Sequence, residues 1–112
     1  MNLLFICYQN IVRSRTAEII YAAAGKYKTR SAGISKGSRV MISGKIMEWA
    51  DIVFVMEAEQ KDYLISKFPV QTRDRNIIDL DICNDYYFMQ PELEEIIKKK
   101  VSSHLEKDET CE

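Results

Sequence analysis

The chain of 112 residues is long enough for one small domain that closes a single core without metal or disulfide crosslinks. Charged residues make up 29% and hydrophobic residues 46%, ordinary values for a globular domain, and the formal net charge is only -1. That balance argues against nucleic acid as a partner, and no apolar stretch approaches the ~20 residues that span a bilayer. We therefore expect one monomeric domain over residues 1–112, with a frayed tail at 107–112 and no membrane partner.

The cysteines indicate the compartment. Cys7, Cys83 and Cys111 are odd in number and widely spaced, which suits free thiols better than a disulfide framework. The amino terminus has no basic segment followed by an apolar signal core. Both features predict a cytoplasmic protein in a reducing environment.

Taken in order, the chain alternates between the apolar patterns of strands and of helices. Strands are predicted at residues 2–6, 28–32, 51–56 and 76–80. Helices are predicted at residues 14–24, 38–49, 58–67 and from residue 91 onward. Gly25 is suited to end the first helix in the left-handed conformation, and Pro91 to begin the last helix at its first position.

Two of the predicted helices have a distinct apolar side. In the helix at 38–49, the residues expected toward the core are Val40, Met41, Met47 and Trp49. In the last helix, they are Leu93, Ile96, Ile97, Val101 and Leu105. Repeated strand, helix, strand units predict a three-layer α/β fold with a four-stranded parallel sheet and helices on both faces. Ligands bind such sheets beyond the carboxyl ends of the strands, and Cys7 directly follows the first predicted strand.

Cys7 and Arg13 are separated by five residues on the turn between the first strand and the first helix. The backbone N–H groups of residues 8–13 can turn inward there, toward the positive end of the helix dipole, and form a cradle for a phosphate- or sulfate-like oxyanion. The planar fork of Arg13 can hold two phosphate oxygens, and its grip strengthens as charge builds on them in the transition state. We expect Cys7 to be a thiolate at neutral pH and a nucleophile in line for attack.

Two neighbours support this interpretation. The Ser14 hydroxyl can donate a hydrogen bond to the sulfur, and Asn10 is a residue type that tolerates left-handed backbone in a tight loop. An ordinary alternative exists, because a cysteine after a buried strand is commonly a small core residue and the Cys7–Arg13 pair alone favours that view. The preceding strand, the following serine and the helix beyond favour catalysis.

One stretch resembles the signature of the low-molecular-weight protein tyrosine phosphatases: Cys7-Tyr8-Gln9-Asn10-Ile11-Val12-Arg13-Ser14, followed by Thr16-Ala17-Glu18. Residues 30–33 and 49–56 resemble that family's second and third strands. The resemblance implies a flavodoxin-like fold and hydrolysis of phosphate monoesters through a phosphocysteine, without a metal or cofactor. It also implies that Cys7 is the nucleophile, that Arg13 clamps the phosphate, and that the intervening residues with Ser14 form the phosphate-binding loop.

The chain departs from this family within the loop. Gln9 stands where the family usually has glycine, so we expect a different backbone solution or some strain at that position. Val12 stands where many members have a second cysteine that protects the nucleophile as a reversible disulfide.

The general acid is a further departure. The family supplies it from an Asp-Pro-Tyr type segment before the last helix, and here Asn84 takes the place of that aspartate in an ungapped comparison. Asparagine cannot donate a proton in this role. One residue of slack would let Asp85 serve, and Asp81 is the next candidate, although both could simply solvate the loop or cap a turn.

Aromatic residues suggest the substrate. Tyr86 and Tyr87 are expected to flank the cleft and, with Tyr8, to form a collar for an aryl phosphate, unless they are ordinary half-buried tyrosines. The favoured function is therefore a phosphatase for a phosphotyrosine protein or a small aryl phosphate. Two alternatives stay open: a phosphate- or phosphotyrosine-binding module without an acid and, less favoured because a close cysteine pair is absent, an arsenate reductase that uses Cys83.

Overall fold

A computed structural model describes the backbone of residues 1–110 and the side chains of residues 1–105. Residues 111 and 112, Cys111 included, lie outside the described residues, as do the side chains of the tail predicted at 107–112.

Four strands form one parallel sheet: β1 (Asn2–Cys7), β2 (Lys28–Gly33), β3 (Ile52–Val55) and β4 (Asn76–Asp79). The order across the sheet is β2-β1-β3-β4, so β1 is central. Within residues 1–110, five helices connect or follow the strands: α1 (Arg13–Ala24), α2 (Gly44–Trp49), α3 (Ala58–Lys67), α4 (Pro69–Arg73) and α5 (Pro91–Thr110). The predicted α/β fold with a four-stranded parallel sheet is confirmed.

The sheet is covered on both faces, which explains why β1 is continuously apolar. Leu3 and Phe5 pack in a cluster with buried residues of α1 and α5. Leu4 and Ile6 point to the other face and pack with buried residues of α2 and α3. The apolar side predicted for α5 is confirmed, since Leu93, Ile97, Val101 and Leu105 are buried and Ile96 packs against the same cluster.

Two helix ends lie at the residues that the sequence predicts as their caps. Gly25 adopts φ 77 at the carboxyl end of α1, as predicted for a left-handed cap. Pro91 is the first residue of α5, where its missing N–H leaves no helix hydrogen bond unmade.

The helix predicted at 38–49 is wrong in its first half, because only Gly44–Trp49 is helical. Gly33 N donates to Val40 O at 2.8 Å and Ile42 N donates to Gly33 O at 3.0 Å, so this part of the chain runs alongside the end of β2. As a result Met41 is 42% exposed, against the prediction, and Ile42 is buried in its place. Ser43 then caps α2, since its side chain accepts from Ile46 N at 3.3 Å.

Helix α4 was not predicted. The helix predicted at 58–67 is confirmed as α3, which ends at Lys67. Pro69 begins the short α4, because proline is well suited to the first position of a new helix.

Candidate active site

The loop of residues 8–12 joins β1 to α1 at the carboxyl end of the sheet. Its outer side is held by the segment that follows β2, through four hydrogen bonds: Ile34 N to Cys7 O (3.2 Å), Ser35 N to Tyr8 O (2.9 Å), Arg39 N to Gln9 O (3.1 Å) and Arg39 Nε to Asn10 O (3.2 Å). Because these carbonyls face outward, the opposite side of the loop presents N–H groups. Within the described part of the chain, no hydrogen bond uses the N–H groups of residues 8–12, which leaves them for an anion.

The loop turns at Asn10, and not at Gln9, where the resembling family usually has glycine. Asn10 has φ 59, in the left-handed region that asparagine tolerates, whereas Gln9 does not have a positive φ. Gln9 therefore carries no left-handed strain, and the loop has a turn for which glycine at position 9 is unnecessary.

A glycine is required next to the loop, at the end of β2. A Cβ atom on Gly33 would lie 2.6 Å from Tyr8 O and would also collide with Ser38 Oγ. Ser38 Oγ itself donates to Tyr8 O at 3.0 Å. The absent side chain of Gly33 thus allows the following segment to pack closely against the loop of residues 8–12.

A buried hydrogen-bond chain leads to the sulfur. Asn10 Nδ2 donates to Ser14 Oγ at 2.8 Å, and Ser14 Oγ lies 2.9 Å from Cys7 Sγ. Since Ser14 Oγ accepts from Asn10, its own proton is available to donate to the sulfur. This arrangement suits a thiolate, which accepts hydrogen bonds, and it joins the three residues that were expected to act together.

Arg13 is buried beside the loop and is anchored through one nitrogen. Its Nη1 donates to Glu57 Oε2 and to Ile82 O, both at 2.7 Å. Among the described residues, Nε and Nη2 have no acceptor. The Nε–Nη2 edge of the guanidinium is therefore the edge left for two oxygens of a ligand.

These groups meet in a pocket of about 330 Å³, lined by Cys7, Tyr8, Gln9, Ile11, Val12, Arg13 and Asn84. The loop between β4 and α5 contributes only Asn84 to this lining. Through Asn84 this loop shares the pocket with Cys7, but the lining includes neither Asp85 nor Asp81. Asp85 Oδ2 instead accepts from Cys83 Sγ at 3.6 Å.

The start of the same loop is held in place. Lys100 Nζ donates to Leu80 O and to Asp81 O, both at 2.8 Å, and Asp81 adopts a left-handed φ of 52. The Asp81 side chain is exposed, and the Asp81 backbone N–H donates to Asp79 Oδ1. The predicted acid role of Asp85, or of Asp81, stays a prediction.

Of the three tyrosines predicted to surround the cleft, only Tyr8 lines the pocket within the described residues. Tyr86 packs against the core beside α1 and α5, and Tyr87 is 66% exposed. The Tyr8 hydroxyl donates to Glu59 Oε2 at 2.8 Å, and its ring lies 5.8 Å from Arg13 Cζ. The Glu59 hydrogen bond, with burial and nearby carboxylates, raises the pKa of Tyr8 to about 12, so this phenol stays protonated at neutral pH.

Glu57 and Arg39 were missed by the sequence analysis. Glu57 follows the carboxyl end of β3 by two residues, a position that predicts proximity to the site in a parallel sheet. Arg39 gave no comparable signal, because it lies in the segment predicted to be helical.

The described residues contain neither a cluster of metal-ligand side chains nor a membrane-spanning helix. No group of three or more His, Cys, Asp or Glu side chains there is placed to hold a metal ion. No helix in the same part of the chain is both long and apolar enough to cross a membrane.

The sequence matches no family model and no curated protein. Solved structures do match, and the YwlE arginine phosphatase from Geobacillus stearothermophilus has a TM-score of 0.75 at 19% identity, over 97% of this chain and 95% of that chain. A YwlE mutant with a phosphorylated active-site serine has a TM-score of 0.73 at 22% identity over 100% of both chains. A low-molecular-weight protein tyrosine phosphatase from Bacillus subtilis has a TM-score of 0.71 at 23% identity, over 97% and 99%.

These matches establish the class of fold. The chain has the fold of the low-molecular-weight phosphatases, as the motif around Cys7 implied. At such low identity the likeness concerns the fold alone.

Proposed function

We propose that this protein is a phosphoric monoester hydrolase that works through a phosphocysteine on Cys7. The observation that carries the proposal is the meeting of Cys7 Sγ, free loop N–H groups and the free edge of Arg13 in one pocket. Together these groups offer a nucleophile and a preorganised set of donors for a phosphoryl group. The likeness to a structure with a phosphorylated active-site serine supports a covalent intermediate at the corresponding step.

The proposed reaction has two steps. In the first, the Cys7 thiolate attacks phosphorus, an S–P bond forms and the P–O bond to the leaving group breaks. In the second, water attacks the phosphocysteine, inorganic phosphate is released and the thiolate returns. Ser14 Oγ, 2.9 Å from the sulfur, stabilises the departing thiolate by donating a hydrogen bond.

The leaving group needs a proton if it is a poor one, and we propose Asp85 as the acid, with Asp81 as the alternative. Asp85 must turn from its contact with Cys83 toward the pocket to do this. Asn84 in the pocket lining supports a second candidate function, a phosphate- or phosphotyrosine-binding module with weak turnover. Among the described residues Cys83 contacts Asp85, which lends no support to the arsenate reductase alternative.

For the substrate we propose a phosphotyrosine protein or a small aryl phosphate. The pocket walls include Tyr8, Ile11 and Val12, which offer aromatic and apolar contacts to a ring. Because some of the matched structures are named arginine phosphatases, phosphoarginine is the alternative substrate to test beside phosphotyrosine. A cytoplasmic location and a monomeric state stay predictions.

Turnover of p-nitrophenyl phosphate and phenyl phosphate, which carry a good and a poor leaving group, tests the proposal. We expect hydrolysis of both by the wild-type protein, and loss of about four orders of magnitude or more in kcat for Cys7→Ser. Binding of inorganic phosphate by Cys7→Ser should persist, because the loop and Arg13 are unchanged. Wild-type turnover of p-nitrophenyl phosphate alone would indicate that no acid acts, and phosphate binding without any turnover would favour the binding module.

A further inference from the structure

Glu57 contacts the phosphate-binding machinery and has no role in the reaction proposed above. It lies at the N-cap of α3, just beyond β3, and its Oε2 accepts from Arg13 Nη1 at 2.7 Å. We propose that Glu57 is a positioning residue, which holds the Arg13 guanidinium so that its Nε–Nη2 edge faces the phosphoryl group. This inference rests on the proposed function and deepens it.

Arg13 has more N–H donors than its protein contacts use. A guanidinium has five N–H groups, and two of them are on Nη1. Glu57 Oε2 and Ile82 O accept from Nη1, so both protein contacts use the same nitrogen. The Nε and Nη2 N–H groups on the other edge are parallel and match two phosphate oxygens.

Glu57 is itself fixed, so it can serve as an anchor. Gln60 is fully buried, and its Oε1 accepts from Glu57 N at 3.2 Å and from Met56 N at 2.8 Å. These bonds hold the backbone of Glu57 at the start of α3. An arginine held by such an anchor has lost its rotamer freedom before the substrate arrives, which lowers the entropy cost of binding and of the transition state.

A different role would follow from charge alone. The Glu57 carboxylate partly neutralises Arg13 and would weaken its attraction for a phosphate dianion, acting as a brake. Orientation and charge respond in opposite ways to substitution, so they can be separated. Loss of the anchor lowers turnover, whereas loss of a brake raises phosphate affinity.

Three substitutions of Glu57 make this distinction. Glu57→Asp keeps the charge and a strong N-cap residue but withdraws the carboxylate by about 1.5 Å, one carbon–carbon bond. Glu57→Gln removes the charge and keeps an oxygen that can accept from Nη1. Glu57→Ala removes both. Ser43→Ala is the matched control, because Ser43 caps α2 and has no contact with the pocket lining.

For each variant, kcat and KM with p-nitrophenyl phosphate, competitive inhibition by inorganic phosphate and the Tm are measured. We expect Glu57→Asp and Glu57→Ala to lower kcat/KM roughly 10- to 100-fold, as misplacement of a catalytic group does, and to weaken phosphate inhibition. Glu57→Gln should recover most of the rate lost in Glu57→Ala. Ser43→Ala should lower the Tm and keep the wild-type kinetics.

Two results would overturn the positioning role while leaving the proposed function intact. One is wild-type kinetics in Glu57→Asp and Glu57→Ala. The other is tighter phosphate inhibition and faster turnover in Glu57→Gln than in wild type, which would identify a brake. A wild-type protein that does not hydrolyse p-nitrophenyl phosphate would instead sink the proposed function, and the positioning role with it.

Discussion

The two sides of the pocket differ in how many of their groups are held in place by hydrogen bonds. On the β1 side, the loop carbonyls are held by the segment after β2, the sulfur is hydrogen-bonded and Arg13 is anchored at both of its Nη1 donors. On the side of the loop between β4 and α5, the lining consists of Asn84. Asp85 contacts Cys83 instead, and the Asp81 side chain is exposed. In the proposed reaction, the groups that bind phosphate are thus preorganised, while protonation of the leaving group by Asp85 would require that side chain to rearrange.

The largest effect should come from the β1 side. Arg13→Ala is expected to lower kcat/KM roughly 10²- to 10³-fold, as removal of a preorganised donor does elsewhere, and to weaken inhibition by phosphate as well. Steady-state kinetics with p-nitrophenyl phosphate measure both. Arg30→Ala is the control, because Arg30 stacks on Trp49 at 4.9 Å on the exposed surface. Equal losses in the two variants would contradict a specific role for Arg13.

On the side of the loop between β4 and α5, substitutions should lower the rate of hydrolysis only for substrates with poor leaving groups. Asp85→Asn is expected to lower the rate with phenyl phosphate roughly 10- to 100-fold, toward the lower end of general-acid effects, and to change p-nitrophenyl phosphate little. An unchanged rate would return the acid role to Asp81 or to water. If Asn84→Asp then accelerates phenyl phosphate hydrolysis, the wild-type pocket lacks an acid and the second candidate function is favoured.

Gly33→Ala tests how closely the segment after β2 must approach the loop. The added methyl group would lie 2.6 Å from Tyr8 O, so either strand or loop has to move. We expect a destabilisation of about 1–3 kcal/mol from this overpacking, with slower turnover, measured by urea unfolding and steady-state kinetics. Gly25→Ala is a useful comparison. An alanine at φ 77 costs about 1 kcal/mol, but Gly25 lies at the end of α1 that is opposite the loop. Unimpaired turnover in Gly33→Ala would show that the contact is dispensable.

The smallest effect concerns pH. The pKa of Tyr8 is raised to about 12 by its hydrogen bond to Glu59, above the value of 10.0 for a free phenol. The folded protein therefore holds this proton more tightly than the unfolded chain, so the stabilisation is complete below pH 10.0 and is lost as the pH rises toward 12. Urea unfolding should show a free energy of unfolding that falls as the pH rises from 10.0 to 12. Tyr8→Phe should make this dependence on pH less steep. An identical slope in the variant would assign the pH dependence to other groups.

The sequence by itself determined the local parts of the molecule. Short-range patterns predict the four strands, the caps at Gly25 and Pro91, and the loop between β1 and α1 that joins Cys7, Asn10, Arg13 and Ser14. Such patterns are readable because strand periodicity, left-handed turns and helix starts are set by residues close in the chain. The strand-to-helix turn also fixed where the site lies in the sheet.

The tertiary structure decided what depends on distant partners. The segment at 38–43 has a pattern compatible with a helix, but pairing with Gly33 and capping by Ser43 outweigh that weak local preference. Arg13 is anchored by Glu57 and by Ile82, which lie 44 and 69 positions further along the chain. Which residue of an irregular loop enters the pocket depends on such contacts too, and so Asn84 rather than Asp85 lines it. Long-range geometry of this kind leaves no periodic trace in the sequence, because it is fixed only when the strand ends meet.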